Sequence, residues 1–327
     1  MSHPRPDPLT PSQAALLAEK LRTQCERALR GKPVVVERAT ETLIAGGHLL
    51  LEDVPGVGKT TLAAALARCV DGSFRRIQFT SDLLPSDVIG AAMPEILDGR
   101  PTGALIFHPG PLFAHVVLAD EINRASPKTQ SALLEAMSEG GVTVDGELHA
   151  LPQPFFVVAT QNPTEHSGTH PLPESQLDRF HMRLSIGYPS REDEAAVLRD
   201  DPSLRELPSL GAVVSPAQVL GMRQAANRVK VDDALIAYLL ELVAETRSHE
   251  TVQLGASTRG ALSLRRAAQA HALVDGRDFA IPEDIQALAA DVLAHRLVVE
   301  HGASAGGRSE EARWIVQEIL DRVPVPL

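Results

Sequence analysis

Cysteine, aromatic residues and long apolar runs are all scarce in this chain, and each scarcity removes a class of protein. Cys25 and Cys69 are the only cysteines among 327 residues, too few for a disulfide framework or a thiolate metal site. They read as plain core residues of a protein from a reducing compartment. Phe, Tyr and Trp together make up 3% of the chain, which leaves few platforms on which the bases of a single strand could stack. No stretch approaches the roughly 18 uninterrupted apolar residues of a membrane span. The start, Met1-Ser2-His3-Pro4-Arg5-Pro6, carries no apolar signal region. A soluble cytoplasmic protein is the expectation. Positive charge is short as well: 31 Lys and Arg stand against 42 Asp and Glu, a formal net charge of −11 with His neutral. Such a surface repels phosphate backbones and disfavours nucleic acid as a partner unless a basic patch is segregated.

What remains is an ordinary globular balance, 44% apolar and 22% charged, at a length that suggests two domains of about 150 residues. Four prolines in the first eleven residues, Pro4, Pro6, Pro8 and Pro11, deny residues 1–12 a helix or a ladder, so this segment is expected to be a flexible tail. From there the spacing predicts a helix capped by Ser12 and a second over Val35–Ala45, stopped by Gly46-Gly47. Short apolar runs then alternate with helical stretches: His48–Glu52, Ile77–Phe79, Val116–Ala119 and Phe155–Ala159. That alternation is the signature of a parallel sheet covered by helices on both faces. Asp98-Gly99 and Asp145-Gly146, each between extended runs, predict two tight hairpins added to the sheet domain. Beyond Pro189 the strand signals stop. The predicted organisation is therefore a tail over 1–12, an α/β domain over 13–190 and an all-α domain over 191–327, the latter including one helix over Pro282–Val299.

The chemistry gathers around the first apolar run. After Glu52 comes Asp53-Val54-Pro55-Gly56-Val57-Gly58-Lys59-Thr60-Thr61, then a helix, which is a phosphate-binding loop in its proper context. Gly56 and Gly58 let backbone N–H groups curl around a phosphate, and the helix N-terminus adds partial positive charge. Lys59 reaches the β- and γ-phosphates and the Thr60 hydroxyl ligates Mg²⁺. Pro55, Val57 and Thr61 complete the expected contact set. The strict pattern requires Gly where this chain has Asp53, so that acid must point away from the phosphates. At the end of the third apolar run stand Asp120 and Glu121. In a P-loop protein the first holds the metal and the second orients or deprotonates the attacking water. Asn162, at the end of the next run, opens on the same sheet edge and can touch the γ-phosphate or the water. Arg179 is a candidate finger for a neighbour's site. Arg259, in the first turn of a helix behind Ser257-Thr258, is disfavoured there by the macrodipole unless an anion such as bound nucleotide sits nearby. His166 and His170 have a metal-ligand spacing, but Pro163, Gly168 and Pro171 argue for a polar loop without metal.

These motifs resemble the MoxR family of AAA+ ATPases, within the branch that includes magnesium-chelatase subunits and replicative helicases. The resemblance covers residues 14–327 and rests on Ala45–His48 leading to Val54–Thr60, on Ala119–Ala125, Ala159–Pro163, Leu172–Phe180 and Gly255–Arg259. It implies sensor-1, arginine-finger and sensor-2 roles for Asn162, Arg179 and Arg259. It also implies a P-loop AAA+ sheet sandwiched by helices, with the two hairpins as the branch's insertions and the C-terminal region as an all-α lid. Lys32 stands where many members carry a Gln that approaches the adenine. By the same resemblance the activity is Mg-ATP hydrolysis in a homo-oligomeric ring, commonly a hexamer, that remodels a protein client beside a partner with a von Willebrand factor A domain. Two alternatives are a helicase-like ATPase, which the acidic tip Asp145-Gly146-Glu147 opposes, and a nucleotide-gated scaffold that hydrolyses little.

Overall fold

The computed structural model describes residues 9–97, 100–162, 169–200, 205–300 and 305–326. Helix α1 runs over Pro11–Ala28, so helix begins inside the segment expected to be tail. The cap is Thr10, not Ser12: its side chain accepts from the Gln13 N–H, and the Gln13 side chain reciprocates. Pro11 sits at the first helical position, where its missing N–H costs nothing. Residues 1–8 of the expected tail lie outside the described residues. Helix α2, Pro33–Ala45, likewise starts on a proline and ends at Gly46, left-handed at φ 75°.

The strands are β1 Leu49–Glu52, β2 Phe74–Gln78, β3 Gly90–Leu97, β4 Arg100–Pro109, β5 Val116–Asp120, β6 Gly141–Val144, β7 Glu147–Ala150, β8 Phe156–Gln161 and β9 Met182–Leu184. Five of them form one parallel sheet in the order β2-β5-β8-β1-β9. Alternation sorts its side chains onto two faces. Leu49, Leu51, Leu118 and Val158 pack under α3 (Lys59–Cys69), while Leu50, Val117, Ala119 and Val157 pack under α4 (Pro85–Ile89) and α5 (Pro127–Glu139). The edge strand β9 has no counterpart in the predicted strands, because three residues carry too little periodicity to read. The two hairpins form where expected but stand as separate two-stranded sheets, β3-β4 and β6-β7, and do not extend the central one. Asp145 and Gly146 turn the second with φ 50° and 84°, the mirror-image turn that Asp-Gly favours. Asp98-Gly99 lies outside the described residues.

After the short helix α6 (Glu174–Leu177), the chain beyond β9 is mostly helical: α7 Arg191–Asp200, α8 Pro216–Ala226, α9 Asp233–Ser248, α10 Thr258–Val274, α11 Pro282–Leu293 and α12 Ala305–Arg322. The helix expected over Pro282–Val299 stops at Leu293. A single 3₁₀ turn, Ala294–Arg296, follows it, and then β11, Val298–Val299, pairs antiparallel with β10, Val252–Leu254. The inward turn of Arg296 toward Asp178 ends the helix, and β-branched residues pair beyond it. Helices α1 and α2 pack on α10, so the core beneath α3 runs without a break into the helical region. Cys25 of α1 and Cys69 of α3 are buried there with thiols 3.6 Å apart. Among the described residues no helix is long and apolar enough to cross a membrane.

Candidate functional site

Parallel strands open at one edge, and the loops after β1, β5 and β8 meet there. A cleft of about 320 Å³ is lined by Pro55, Gly56, Gly58, Lys59, Thr60, Thr61, Asp120, Glu121, Thr160 and Asn162. Val57 faces an adjoining slot of about 160 Å³ between Leu29, Lys32 and Pro189, which shares Gly56, Gly58 and Thr61 with the cleft. The P-loop residues, both acids and Asn162 are thus brought together.

Gly56 and Gly58 adopt φ 86° and 102°, values that side chains resist. A Cβ on Gly58 would come within 2.7 Å of Leu29 Cδ1. Gly58 caps α3, and Lys59, Thr60 and Thr61 of its first turn line the cleft, so the partial positive charge of the helix N-terminus lies beside it. The Lys59 ammonium donates to the Asp53 carbonyl. Asp53 itself points away, as required. Its Oδ2 accepts from Gly187 N at 2.6 Å and from the Ser185 hydroxyl at 2.8 Å, and its Oδ1 from Val54 N at 2.8 Å. Burial works against its charge, but the Gly187, Ser185 and Val54 hydrogen bonds prevail and hold the carboxyl below its ordinary value.

The acids are tightly held. Asp120 Oδ1 accepts from the Thr160 hydroxyl at 2.6 Å, and Oδ2 accepts from Arg76 Nη2 at 2.6 Å and Nε at 3.2 Å. Glu121 is left-handed at φ 57°, uncommon for a residue with a side chain. Its N–H donates to Thr160 Oγ1 at 2.8 Å, while Oε2 accepts from Gln78 and Arg124 at 2.8 and 2.9 Å. The strained backbone turns the second acid out of the strand line and into the cleft, as strain at working sites commonly does. Asn162 is 5% exposed at the cleft wall.

Arg179 and Arg259 are elsewhere. Met182 pairs with Leu49 in the parallel register, so Arg179, just ahead of β9, lies at the opposite edge of the sheet from the P-loop. Its Nη1 donates to the Leu134 carbonyl and the Ser138 hydroxyl at 2.7 and 2.8 Å. Arg259 Nη1 is 3.6 Å from Asp178 Oδ2, so the anion that offsets its position at the α10 N-terminus is Asp178. That carboxylate also receives the Ser257 hydroxyl at 3.1 Å and the buried Arg296 at 2.8 Å.

The family model described as the ATPase family associated with various cellular activities (AAA) matches residues 48–182, and an AAA lid domain model matches 244–319. Chaperone MoxR1 of Mycobacterium tuberculosis is 40% identical over 312 residues, covering 93% of this chain and 81% of that protein. The chain belongs to the MoxR family of AAA+ ATPases. An uncharacterised protein of Bacillus subtilis, YeaC, is 48% identical over 301 residues, 92% of each chain. A crystal structure from Cytophaga hutchinsonii, described as a candidate ATPase, superposes with a TM-score of 0.86 at 37% identity over 97% of both chains. This MoxR-type ATPase therefore has the AAA+ sheet with a helical lid that its motifs imply, and its family binds nucleotide.

Sequence reasoning missed Arg76, Gln78, Arg124, Thr160 and Asp178 as partners of the site. The period of two along β2 puts Arg76 and Gln78 on one side, and Thr160 directly precedes Gln161-Asn162, but only the strand order shows that these reach Asp120 and Glu121. His170 is tied through its backbone to Asn123 and Gln130; its expected companion His166 lies outside the described residues.

Proposed function

We propose that this MoxR-type ATPase is a Mg-ATP-driven remodeller of protein clients that works as a homo-oligomeric ring, a hexamer by family precedent. The observation that carries the reading is the split of the site: phosphate loop, acids and Asn162 occupy one sheet edge, and Arg179 and Arg259 the other. Head-to-tail packing of copies brings one chain's arginines to the next chain's cleft. The donors suit the ligands, since the Thr60 hydroxyl and Asp120 carboxylate are hard oxygens on one cleft, the set Mg²⁺ prefers. When bound, Mg²⁺ supplies charge neutralisation at the β- and γ-phosphate oxygens.

The chain's own residues do the rest. Lys59, released from the Asp53 carbonyl, and the backbone N–H groups of the loop grip the phosphates. Thr60 and Asp120 hold the metal, Glu121 takes the proton of the attacking water, and Asn162 orients that water. Arg179 from the neighbour stabilises charge on the transferring phosphoryl group, with Arg259 beside it. The slot beside Val57 suits the base, where Lys32 Nζ already donates to the Tyr188 carbonyl at 2.8 Å. A protein client, with a von Willebrand factor A domain protein as partner, is favoured over nucleic acid by the net charge of −11 and by the exposed acidic tip Asp145-Gly146-Glu147. The name of the Mycobacterium relative, a chaperone, points the same way.

The test is ATPase rate together with mass by light scattering, with and without Mg-ATP, for the parent and Glu121→Gln. The expected result is a nucleotide-stabilised ring, with the variant binding ATP but hydrolysing it roughly 10²–10⁴-fold more slowly. A monomer without turnover at high protein concentration overturns the reading.

A further inference from the structure

Asp120 is already charge-balanced by this chain. Its Oδ1 is taken by the Thr160 hydroxyl at 2.6 Å and its Oδ2 by two N–H groups of Arg76 at 2.6 and 3.2 Å. Arg76 sits on the sheet's edge strand β2, and its side chain is 51% exposed while that of Asp120 is 11% exposed. The pair is therefore lopsided: the acid is fixed and shielded, whereas the guanidinium lies at the rim with solvent beside it. Its Nη2 also donates to Gln78 at 3.1 Å, and Gln78 donates on to Glu121 at 2.8 Å. One exposed arginine thus ends a hydrogen-bonded chain that runs through both acids.

A divalent cation approaching Asp120 meets a guanidinium on the same carboxylate. Like charges a few ångströms apart repel, and the shared oxygen cannot serve both at full strength. The rim position makes departure of Arg76 cheap, since solvent rehydrates it. We propose that Arg76 is a positioning residue that competes with the metal for Asp120. It holds the carboxylate aligned until metal and nucleotide arrive, then swings to solvent, and so sets the Mg²⁺ concentration at which nucleotide is bound tightly. The proposal rests on Thr60 and Asp120 being the metal's holders.

The experiment is binding of a fluorescent ATP analogue, followed as Mg²⁺ is titrated, for the parent, Arg76→Gln and Arg76→Lys. A matching series is run in EDTA, and a urea midpoint is measured for each protein. The Mg²⁺ midpoint is expected to fall about three- to tenfold in Arg76→Gln, the range in which a charge-assisted pair at a protein rim is worth measuring. Arg76→Lys, which keeps the charge but not the paired N–H groups, falls in between. Affinity in EDTA stays within about twofold and the urea midpoint stays near the parent's, because a half-exposed edge residue carries little of the core. A Mg²⁺ midpoint that is unchanged or raised, in a parent that is Mg²⁺-dependent, overturns the competition and leaves the metal assignment standing. A large loss of affinity in EDTA assigns Arg76 to the phosphates and also overturns it. A parent whose binding ignores Mg²⁺ overturns the metal assignment and the proposal with it.

Discussion

Asp53 shows how one side chain can look wrong in a motif and be right in the fold. It stands at the glycine position of the phosphate-loop pattern, yet its carboxylate faces away from the cleft and ties the loop to Ser185 and Gly187, just after β9. The acid is thus a staple between the loop and the segment that leads toward the helical region. Asp53→Ala strands the part-buried Gly187 N–H, and we expect a loss of about 1 kcal/mol in urea unfolding, the scale of one hydrogen bond. Asp53→Asn, which keeps acceptor capacity, loses less. The sequence alone required Asp53 to turn away; where it turned depended on Ser185 and Gly187, more than 130 residues distant. Thr160 follows the same rule: it stood inside a quoted motif, but its task of joining Asp120 to the Glu121 backbone exists only because β5 and β8 are neighbours.

At the scale of elements, histidines join the sheet to its surroundings. His48 accepts from Val157 N at 3.0 Å and its other ring nitrogen meets the Met137 carbonyl at 3.2 Å, locking β1 to β8 and α5. Burial lowers its pKa from 6.5 to about 4, and burial with nearby Arg296 lowers that of His181 to about 3. Burial also puts His295 well below its usual value. These rings are neutral in the fold, while the unfolded chain takes up protons below pH 6.5. Their stability is therefore complete above pH 6.5 and declines as the pH falls from there toward the folded values. His271 has the opposite sign: burial opposes its charge, but Glu41 outweighs burial and raises its pKa, so its contribution is full below pH 6.5 and is lost as the pH rises through the raised value. His115 is lowered by burial as well, so with four groups against one the urea midpoint should drop between pH 7 and pH 5. An unchanged or higher midpoint at pH 5 would contradict this. None of these histidines could be assigned from the chain, because a lone His in an apolar run has the same local pattern whether it links elements or merely fills space.

The whole molecule adds the separation of Arg179 and Arg259 from its cleft. Arg179→Ala is expected to keep nucleotide affinity and lose hydrolysis by about 10³-fold, the scale of an arginine finger. The decisive measurement is mixing. Lys59→Ala subunits have no working cleft but an intact Arg179, so adding them to Arg179→Ala subunits should restore turnover. No recovery in mixed assemblies would place Arg179 outside the reaction of a neighbour. The helical region also proved less separate than its sequence suggests, since α1 and α2 pack on α10 and the core passes between them. Such packing is long-range and leaves no mark on local periodicity.

By itself the chain determined its class of chemistry. A loop of Gly56, Gly58, Lys59 and Thr60 after a strand, and Asp120-Glu121 after another, are local patterns inside the region that matches the AAA family, and so are legible without a fold. The hairpin turn at Asp145-Gly146 is legible for the same reason, because its positive φ values demand those residue types. Only tertiary structure decided that β9 closes the sheet, that Arg76 and Gln78 reach the acids, and that Arg179 and Arg259 face away from their own cleft. Those facts depend on which strands are neighbours and which edge a residue occupies, and contacts between distant segments are decided by burial of the whole rather than by any stretch of sequence.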